Sequence, residues 1–493
     1  MDTFLKNYWS LYNEFLIAFE PLHYKGISLP YVCHFPSFIP KDGTLWKQLK
    51  DPTFVKHLQT EISHQKEIQQ KFNQFMLRQT SKVHKGKPNG KVAIHVDKLL
   101  RFPQNTFFKS FDGNKTILLI AQGKPRRKKK QVSMNGTQTI DGGTSRMKCQ
   151  QANRKGINNM ATYYLEPFTA SIQGDISQLQ KQTREIFKRN EQHHVFGRNE
   201  FQQWLLEKIK IVMEHIVTAE WFFDNNQINC LIVSTTHSYI SRILTVVAAK
   251  RGISTICMQH GIISSELGYI PKIATVDAVY GHFEKDFYES LGVPKNSIEL
   301  IGHPRFDQVQ KFTSFLRKRD YQKLQLDSKK KTILLVVREN QLIDQWRSFI
   351  QTISKQQQVN ILVKNYPSRQ EHPLVKEFPF VYSTENMELY DLFPLVDVVV
   401  SYASTVALEA MLAKKHVFVL KDKIEGDRFY YDRLDYCVQK DPIRLASLVT
   451  AYLANATVKN ELEKKRKKFL QYAYPNAKPS SVRLKELVSK LID

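Results

Sequence analysis

At 493 residues the chain exceeds one ordinary domain; at about 100–200 residues each, two to four are expected. Hydrophobic residues at 42% and charged residues at 24% exclude wholesale disorder, and five cysteines without a CxxC pair exclude a disulfide scaffold or a zinc module. Lys and Arg total 73 against 47 Asp and Glu, and the net +26 calls for a polyanionic partner: nucleic acid, an anionic membrane surface or a phosphorylated substrate.

The first residues, Met1 to Lys6, carry no basic segment followed by an apolar run. No window approaches the ~20 apolar residues that span a bilayer, and the best, 228–249, is broken by Thr, His, Ser and Arg. A cytoplasmic setting is expected, with peripheral attachment to the inner face of the cell membrane left open.

Residues 1–80 read as a helical N-terminal region. Between 45 and 78, Leu45, Leu49, Phe54, Leu58, Ile62, Ile68, Phe72, Phe75 and Met76 keep close to a helical period. A first α/β unit is expected over 81–310. Its run Thr116–Ala121 reads as a strand that leads into a long basic loop over 123–157. Eighteen Lys or Arg against three Asp between 81 and 160 supply +15 of the total +26. The densest part is Lys124, Arg126, Arg127, Lys128, Lys129 and Lys130, a surface suited to anionic lipid or an anionic polymer. A plain solubilising loop is the bland alternative. Nucleic acid is disfavoured, because no RNP-type strand, finger spacing or basic region running into heptads accompanies the charge.

From residue 228 the texture changes. Asn229–Thr235 is a continuous apolar, β-branched run, as expected of a strand covered on both faces. A helix over Ser238–Lys250 ends at Gly252, and Thr255–His260 is the next strand. Ala278–Tyr280, a helix over 283–291, and Ser297–Gly302 repeat the beat. After a lysine-rich stretch over 311–331, strands at Thr332–Val337, Val359–Lys364, Val396–Ser401 and His416–Leu420 define a second α/β unit over 325–455. Residues 456–493 close the chain with amphipathic helices.

In open parallel sheets, ligands sit beyond the carboxyl ends of strands, so chemistry is sought there. Ser404 and Thr405 begin a helix directly after a buried strand, where free N–H groups and the helix dipole favour a phosphate. Glu409, one turn on, could accept from ribose hydroxyls; the bland alternative is a plain N-cap and a solvated carboxylate. His260, between Gln259 and Gly261 at a strand end, is suited to act as a general base, with Gly261 allowing close backbone approach. His303 and Arg305 follow another strand, where Arg could recognise phosphate oxygens or pair with Asp307. Arg338 and Lys364 end two strands of the second unit and could bind a pyrophosphate or simply be solvated. No Walker loop, dinucleotide fingerprint, HExxH, GxSxG elbow or DxD pair at a strand end is present. No metal or cofactor is expected.

Taken in order, Gln259-His-Gly261, Gly302-His-Pro-Arg-Phe-Asp307, the strand with Lys364 and Pro367, and Ser404-Thr-Val-Ala-Leu-Glu-Ala410 resemble the GT-B glycosyltransferases. The likeness covers about 40% of the chain. The nearest group is the bacterial surface-polysaccharide enzymes, including CDP-glycerol glycerophosphotransferases of teichoic acid synthesis and capsule-type transferases. The resemblance implies two Rossmann-like domains facing a cleft, an acceptor domain before a nucleotide-donor domain, and a final helix that crosses back to the first. It makes His260 the base, Ser404, Thr405 and Glu409 the donor helix, and brings His303 and Arg305 near the transferred group. Those enzymes show Trp-His-Gly where this chain has Gln259-His-Gly, and His-Pro where it has Tyr366-Pro367. The departures favour a nucleotide-sugar donor over CDP-glycerol.

The expected activity is therefore metal-independent, inverting-type transfer of a sugar or polyol phosphate from a nucleotide donor to a glycan or lipid-linked surface-polysaccharide acceptor. A non-hydrolysing sugar-nucleotide 2-epimerase shares the implied fold. A non-catalytic protein that binds membrane or nucleic acid on the same scaffold is the alternative from another class.

Overall fold

Runs of Val, Ile and Leu, apolar on both faces, build two parallel sheets whose flanks are covered by helices. The fold is that of a computed structural model, which describes residues 1–77, 89–121, 160–166, 172–311, 324–366, 368, 370–422, 429–475 and 478–492. The loop 123–157, with Lys124, Arg126, Arg127, Lys128, Lys129 and Lys130 and the surface role expected of them, lies outside the described residues.

A short hairpin, β1 (His23–Tyr24) and β2 (Ile27–Ser28), belongs to the N-terminal region. The first sheet contains β3 (Lys91–Val96), β4 (Thr116–Ile120), β5 (Ala161–Tyr164), β6 (Ile228–Val233), β7 (Ser254–Met258), β8 (Val276–Val279) and β9 (Ile298–Leu300). Its order is β5-β4-β3-β6-β7-β8-β9, parallel throughout. The second contains β10 (Lys331–Val337), β11 (Val359–Asn365), β12 (Val381–Ser383), β13 (Val398–Tyr402), β14 (His416–Leu420) and β15 (Val438–Gln439). Its order is β12-β11-β10-β13-β14-β15, again parallel. Each sheet is thus doubly wound, with its order reversing between β3 and β6 and between β10 and β13. Those two switch points are where crevices form beyond the strand ends.

Residues 1–77 share one core with the first sheet and its helices. Trp9 Nε1 donates to Glu266 at 3.2 Å, and the buried Arg242 guanidinium donates to the Tyr12 hydroxyl at 2.8 Å and the Tyr31 carbonyl at 3.1 Å. The Gln69 amide exchanges bonds of 3.0 and 2.8 Å with the backbone of Lys272. The helical run expected over 45–78 is instead three pieces: helix Gly43–Gln48, a single 3₁₀ turn Phe54–His57 and helix Gln65–Leu77. Pro52 cannot continue the first piece. The apolar period persists across the breaks because Leu45, Phe54, Ile62, Ile68 and Phe72 all face the same core.

The chain then ties its two halves together at the end. Helix Ala456–Ala473 packs on the second domain, and helix Ser480–Ile492 returns to the first sheet, where Leu484, Leu487 and Val488 meet Val92, Ile94, Cys230, Ile232 and Ile256. Asp307 caps this last helix, accepting from Ser480 N at 2.7 Å and Ser481 N at 2.9 Å. Gly302 makes the crossing fit: its φ of +77° suits glycine, and a Cβ there would lie 2.3 Å from the Tyr474 hydroxyl. That hydroxyl accepts from His303 N at 2.9 Å. Among the described residues, no helix is long and apolar enough to cross a membrane.

The final helix should behave as part of the first domain's core. Leu484→Ala should cost about 2–5 kcal/mol in urea unfolding, whereas the exposed neighbour Lys485→Ala should change it by about 0.5 kcal/mol or less. Equal, small effects would mean that the helix is not packed on the sheet.

Candidate active site

The loop after β7 is built around hydrogen bonds that the local sequence does not advertise. The Gln259 amide donates to the Gly261 carbonyl at 2.7 Å and to Glu284 Oε1 at 2.8 Å, and its oxygen accepts from Tyr280 N at 2.8 Å. Glu284 Oε2 accepts from Gly281 N at 2.9 Å. The Tyr269 hydroxyl donates to the carbonyls of Gly261 and Ile262 at 3.2 and 3.3 Å, and its ring stacks on His260 at 5.6 Å and 9°. His260 is half-buried. Burial holds its pKa below the usual imidazole range, with the Ser234 backbone pushing the other way. The ring is therefore uncharged near neutral pH and open to accept a proton. Gly261 has no left-handed φ, and a Cβ there would meet Thr405 Oγ1 at an ordinary 3.5 Å, so neither the turn nor the approach requires glycine.

Across the cleft, helix Thr405–Leu412 starts one turn after β13. Thr405 Oγ1 accepts from Ile262 N at 3.2 Å, which joins this helix to the His260 loop. Ser404 does not cap the helix with its side chain; its hydroxyl lies 3.2 Å from that of Ser401. Tyr431 caps instead, donating to the Ser404 carbonyl and accepting from Leu408 N at 3.2 Å. Glu409 is 6% exposed, so the solvated alternative does not hold. Its Oε1 lies 3.4 Å from Arg305 Nη2, and Tyr390 also bonds to it. Arg305 thus pairs across the domain boundary, and it does not pair with Asp307, which caps the final helix.

Two expected site residues are placed otherwise. His303 is 0% exposed, its ring enclosed by Phe102, Tyr280 and Phe306, and it cannot touch a substrate from there. Its Nδ1 accepts from Arg305 N at 3.2 Å, so it shapes the Arg305 turn. Lys364 is 6% exposed and donates to the carbonyls of Thr384, at 3.0 Å, and Met387. It closes a turn within the second domain and leaves no free cation for a pyrophosphate. Arg338, by contrast, is exposed beside Tyr402.

Four residues were not singled out from the sequence. Asp97, after β3, accepts from Ser234 Oγ at 2.6 Å and from Leu99 N and Leu100 N at 2.9 Å each. Arg101, on the same turn, reaches the Tyr366 hydroxyl across the cleft at 3.4 Å. Tyr366 and Tyr390 come from the second domain. Recognising Lys91–Val96 as a strand would have drawn notice to Asp97 and Arg101 as strand-end residues. A cavity of about 800 Å³ lies elsewhere, bordered by Asp307, Lys414, Lys467 and Pro479, and shares only Phe306 with the surroundings of Arg305. The chemistry argues for the cleft. Among the described residues, no cluster of His, Cys, Asp or Glu is arranged to hold a metal ion.

Two doubly wound domains meeting at their strand ends define the GT-B class of fold. Residues 276–425, under half of the chain, match the family described as LpxB, lipid-A-disaccharide synthetase. A protein assigned as a UDP-N-acetylglucosamine 2-epimerase from Listeria monocytogenes is similar over 83% of this chain and 96% of its own, at 10% identity and a TM-score of 0.50. A glycosyltransferase from Rickettsia africae ESF-5 covers 82% of this chain and 100% of its own, at 11% identity and a TM-score of 0.48. A variant of the wall teichoic acid polymerase TagF with CDPG covers 87% and 94%, at 12% identity and a TM-score of 0.43. No curated protein matches. At such identities the likeness establishes the fold.

Glu284 gives the site a pH signature. Burial pushes its carboxyl from 4.5 up to about 8, against the bonds from Gln259 and Gly281. Between those values the folded chain keeps a proton that the unfolded chain has released, so this group's stabilising contribution is lost as pH rises through that window. The urea stability of the parent should therefore fall relative to Glu284→Gln from about pH 4.5 to about pH 8. A stability difference that does not change with pH would sink the assignment.

Proposed function

We propose that this chain is a GT-B glycosyltransferase-type enzyme that moves a sugar, or a polyol phosphate, from a nucleotide donor to a cell-surface polysaccharide or lipid-linked acceptor. The observation that carries the reading is the meeting of the His260 loop with helix Thr405–Leu412 through the Ile262–Thr405 bond. This bond supports the reading because it draws the loop that carries His260, taken here as the base, against the start of the helix taken here to hold the donor. The partial match to a lipid-A-disaccharide synthetase family supports transfer of a sugar over other chemistry on this fold.

In sugar transfer, the acceptor hydroxyl gives its proton to His260 as its oxygen bonds to the donor's anomeric carbon. The bond from that carbon to the diphosphate oxygen breaks, and the electron pair leaves on the diphosphate. Transfer of a polyol phosphate follows the same pattern at phosphorus. The N-terminus of helix Thr405–Leu412, with the hydroxyls of Ser404 and Thr405, binds donor phosphate, and Arg338 neutralises the charge that develops there. Glu409 accepts from the ribose hydroxyls. Arg305 and Tyr390 hold that carboxylate in orientation, so Arg305 is a positioning residue for donor binding.

The test uses a panel of UDP-, GDP- and CMP-sugars together with CDP-glycerol, with nucleotide release as the readout. His260→Ala should lower turnover about 10²- to 10⁴-fold. Calorimetric affinity for the donor nucleotide should be unchanged in the same variant. Wild-type turnover in His260→Ala would remove the assigned base. Failure of the folded parent to bind any nucleotide of the panel would remove the reading itself.

A further inference from the structure

We propose that Arg101 is a second anion-binding arm, reaching from the first domain over the cleft to the donor's diphosphate opposite Arg338. The inference rests on the nucleotide-donor reading and adds to it a ligand-binding residue from the other wall.

The cations near the cleft divide sharply. Arg305 is paired with Glu409, and the ammonium group of Lys364 donates to two backbone carbonyls. Arg101 and Arg338 are exposed, and neither has a carboxylate partner among the described residues. Arg101 and Arg338 lie on either side of Tyr366, whose hydroxyl meets Arg101 and whose N–H donates to the Val337 carbonyl at 2.9 Å, and two cations so placed favour an anion between them. A diphosphate supplies both the charge and the oxygen geometry for bidentate recognition.

The backbone fixes where Arg101 points. Asp97 ties the turn to the first sheet's switch point through its bonds to Ser234, Leu99 and Leu100. Leu100 is buried at 1% exposure and anchors the next residue. Arg101 itself has φ +47°, a left-handed conformation that a non-glycine residue keeps only when its surroundings enforce it. The side chain is directed over the cleft to the Tyr366 hydroxyl, its long 3.4 Å contact there being an uncharged one. The Tyr366 carbonyl in turn accepts from the Tyr402 hydroxyl at 3.3 Å, and Arg338 acts on Tyr402 from the other side. The two arginines therefore approach one tyrosine ridge from opposite domains. Tyr366 marks the meeting point.

Calorimetry with UDP, CDP and GDP, each beside its nucleoside monophosphate, tests the arm on the full chain. Arg101→Gln should weaken the diphosphate that the parent binds about 10- to 100-fold and leave the monophosphate nearly unaffected. Arg101→Lys should restore part of the loss. Lys98→Gln, which removes an exposed cation from the same turn, should retain parental diphosphate affinity. The proposal is overturned if Arg101→Gln binds the diphosphate as the parent does, or loses both nucleotides equally. It is equally overturned if Lys98→Gln matches the Arg101→Gln loss, which would make the effect one of general charge. If the parent binds none of the nucleotides, the donor reading fails, and the arm with it; parental binding separates the two failures.

Discussion

The Arg305–Glu409 pair sets how the two domains sit. Each charge has left water, a cost that is offset only while the other stays beside it and the remaining donors and acceptors find partners. Tyr280 lies 3.4 Å from the guanidinium and Tyr390 bonds to the carboxylate, whereas the buried Arg305 Nε has no partner among the described residues. Around it the interface is apolar: Ile262, Tyr280 and Phe306 of the first half belong to the core of the second. Opening the cleft would separate the charges and wet that surface together. The distance from the His260 loop to helix Thr405–Leu412 is consequently set before any ligand arrives, and such preorganisation lowers the cost of aligning reacting groups.

Directed hydrogen bonds also account for the residue beside His260. A tryptophan before His-Gly would fill space with an aromatic ring. Gln259 instead spans three groups: the Gly261 carbonyl, the Tyr280 N–H and the buried Glu284 carboxyl. The loop is shaped by directed hydrogen bonds, and an acid with a raised pKa is one of its supports. The departure from the glycerophosphotransferase pattern is thus a different way of holding the His260 loop.

The long strands were legible because burial on both faces leaves a continuous apolar run. This holds for β6, β10, β11, β13 and β14, and for the helices that follow β6 and β13. The missed strands lack that signature for separate reasons. β3 is opened by Lys91 and contains His95, a buried side chain bonded to Ser241. β5 is a half-exposed edge strand, and β12 and β15 have only three and two residues. The helix expected over 45–78 failed in the opposite way, since one core face can be supplied by three short pieces with a helix-like period. At the site, His260, Thr405 and Glu409 were legible as strand-end or helix-start residues. The fates of Lys364, His303 and Arg305 were not. Each is decided by a partner that comes from a distant segment or the other domain, and local spacing carries no trace of such a partner.

The net charge of +26 also reads differently once the partners are known. A strongly basic chain approaching an anionic donor invites the inference that its lysines and arginines line the site. Around this cleft two of the described cations are engaged internally: Arg305 by a carboxylate and Lys364 by backbone carbonyls. Burying a cation against fixed acceptors removes its pull on a ligand and makes it part of the wall. Among the described residues, Arg101 and Arg338, one from each domain, are the guanidinium groups placed at the cleft that face water. A charge held on only one wall would bind an open cleft as well as a closed one. Divided between the walls, it attracts a diphosphate most strongly when the domains are together, which is the arrangement that the Arg305–Glu409 pair already favours.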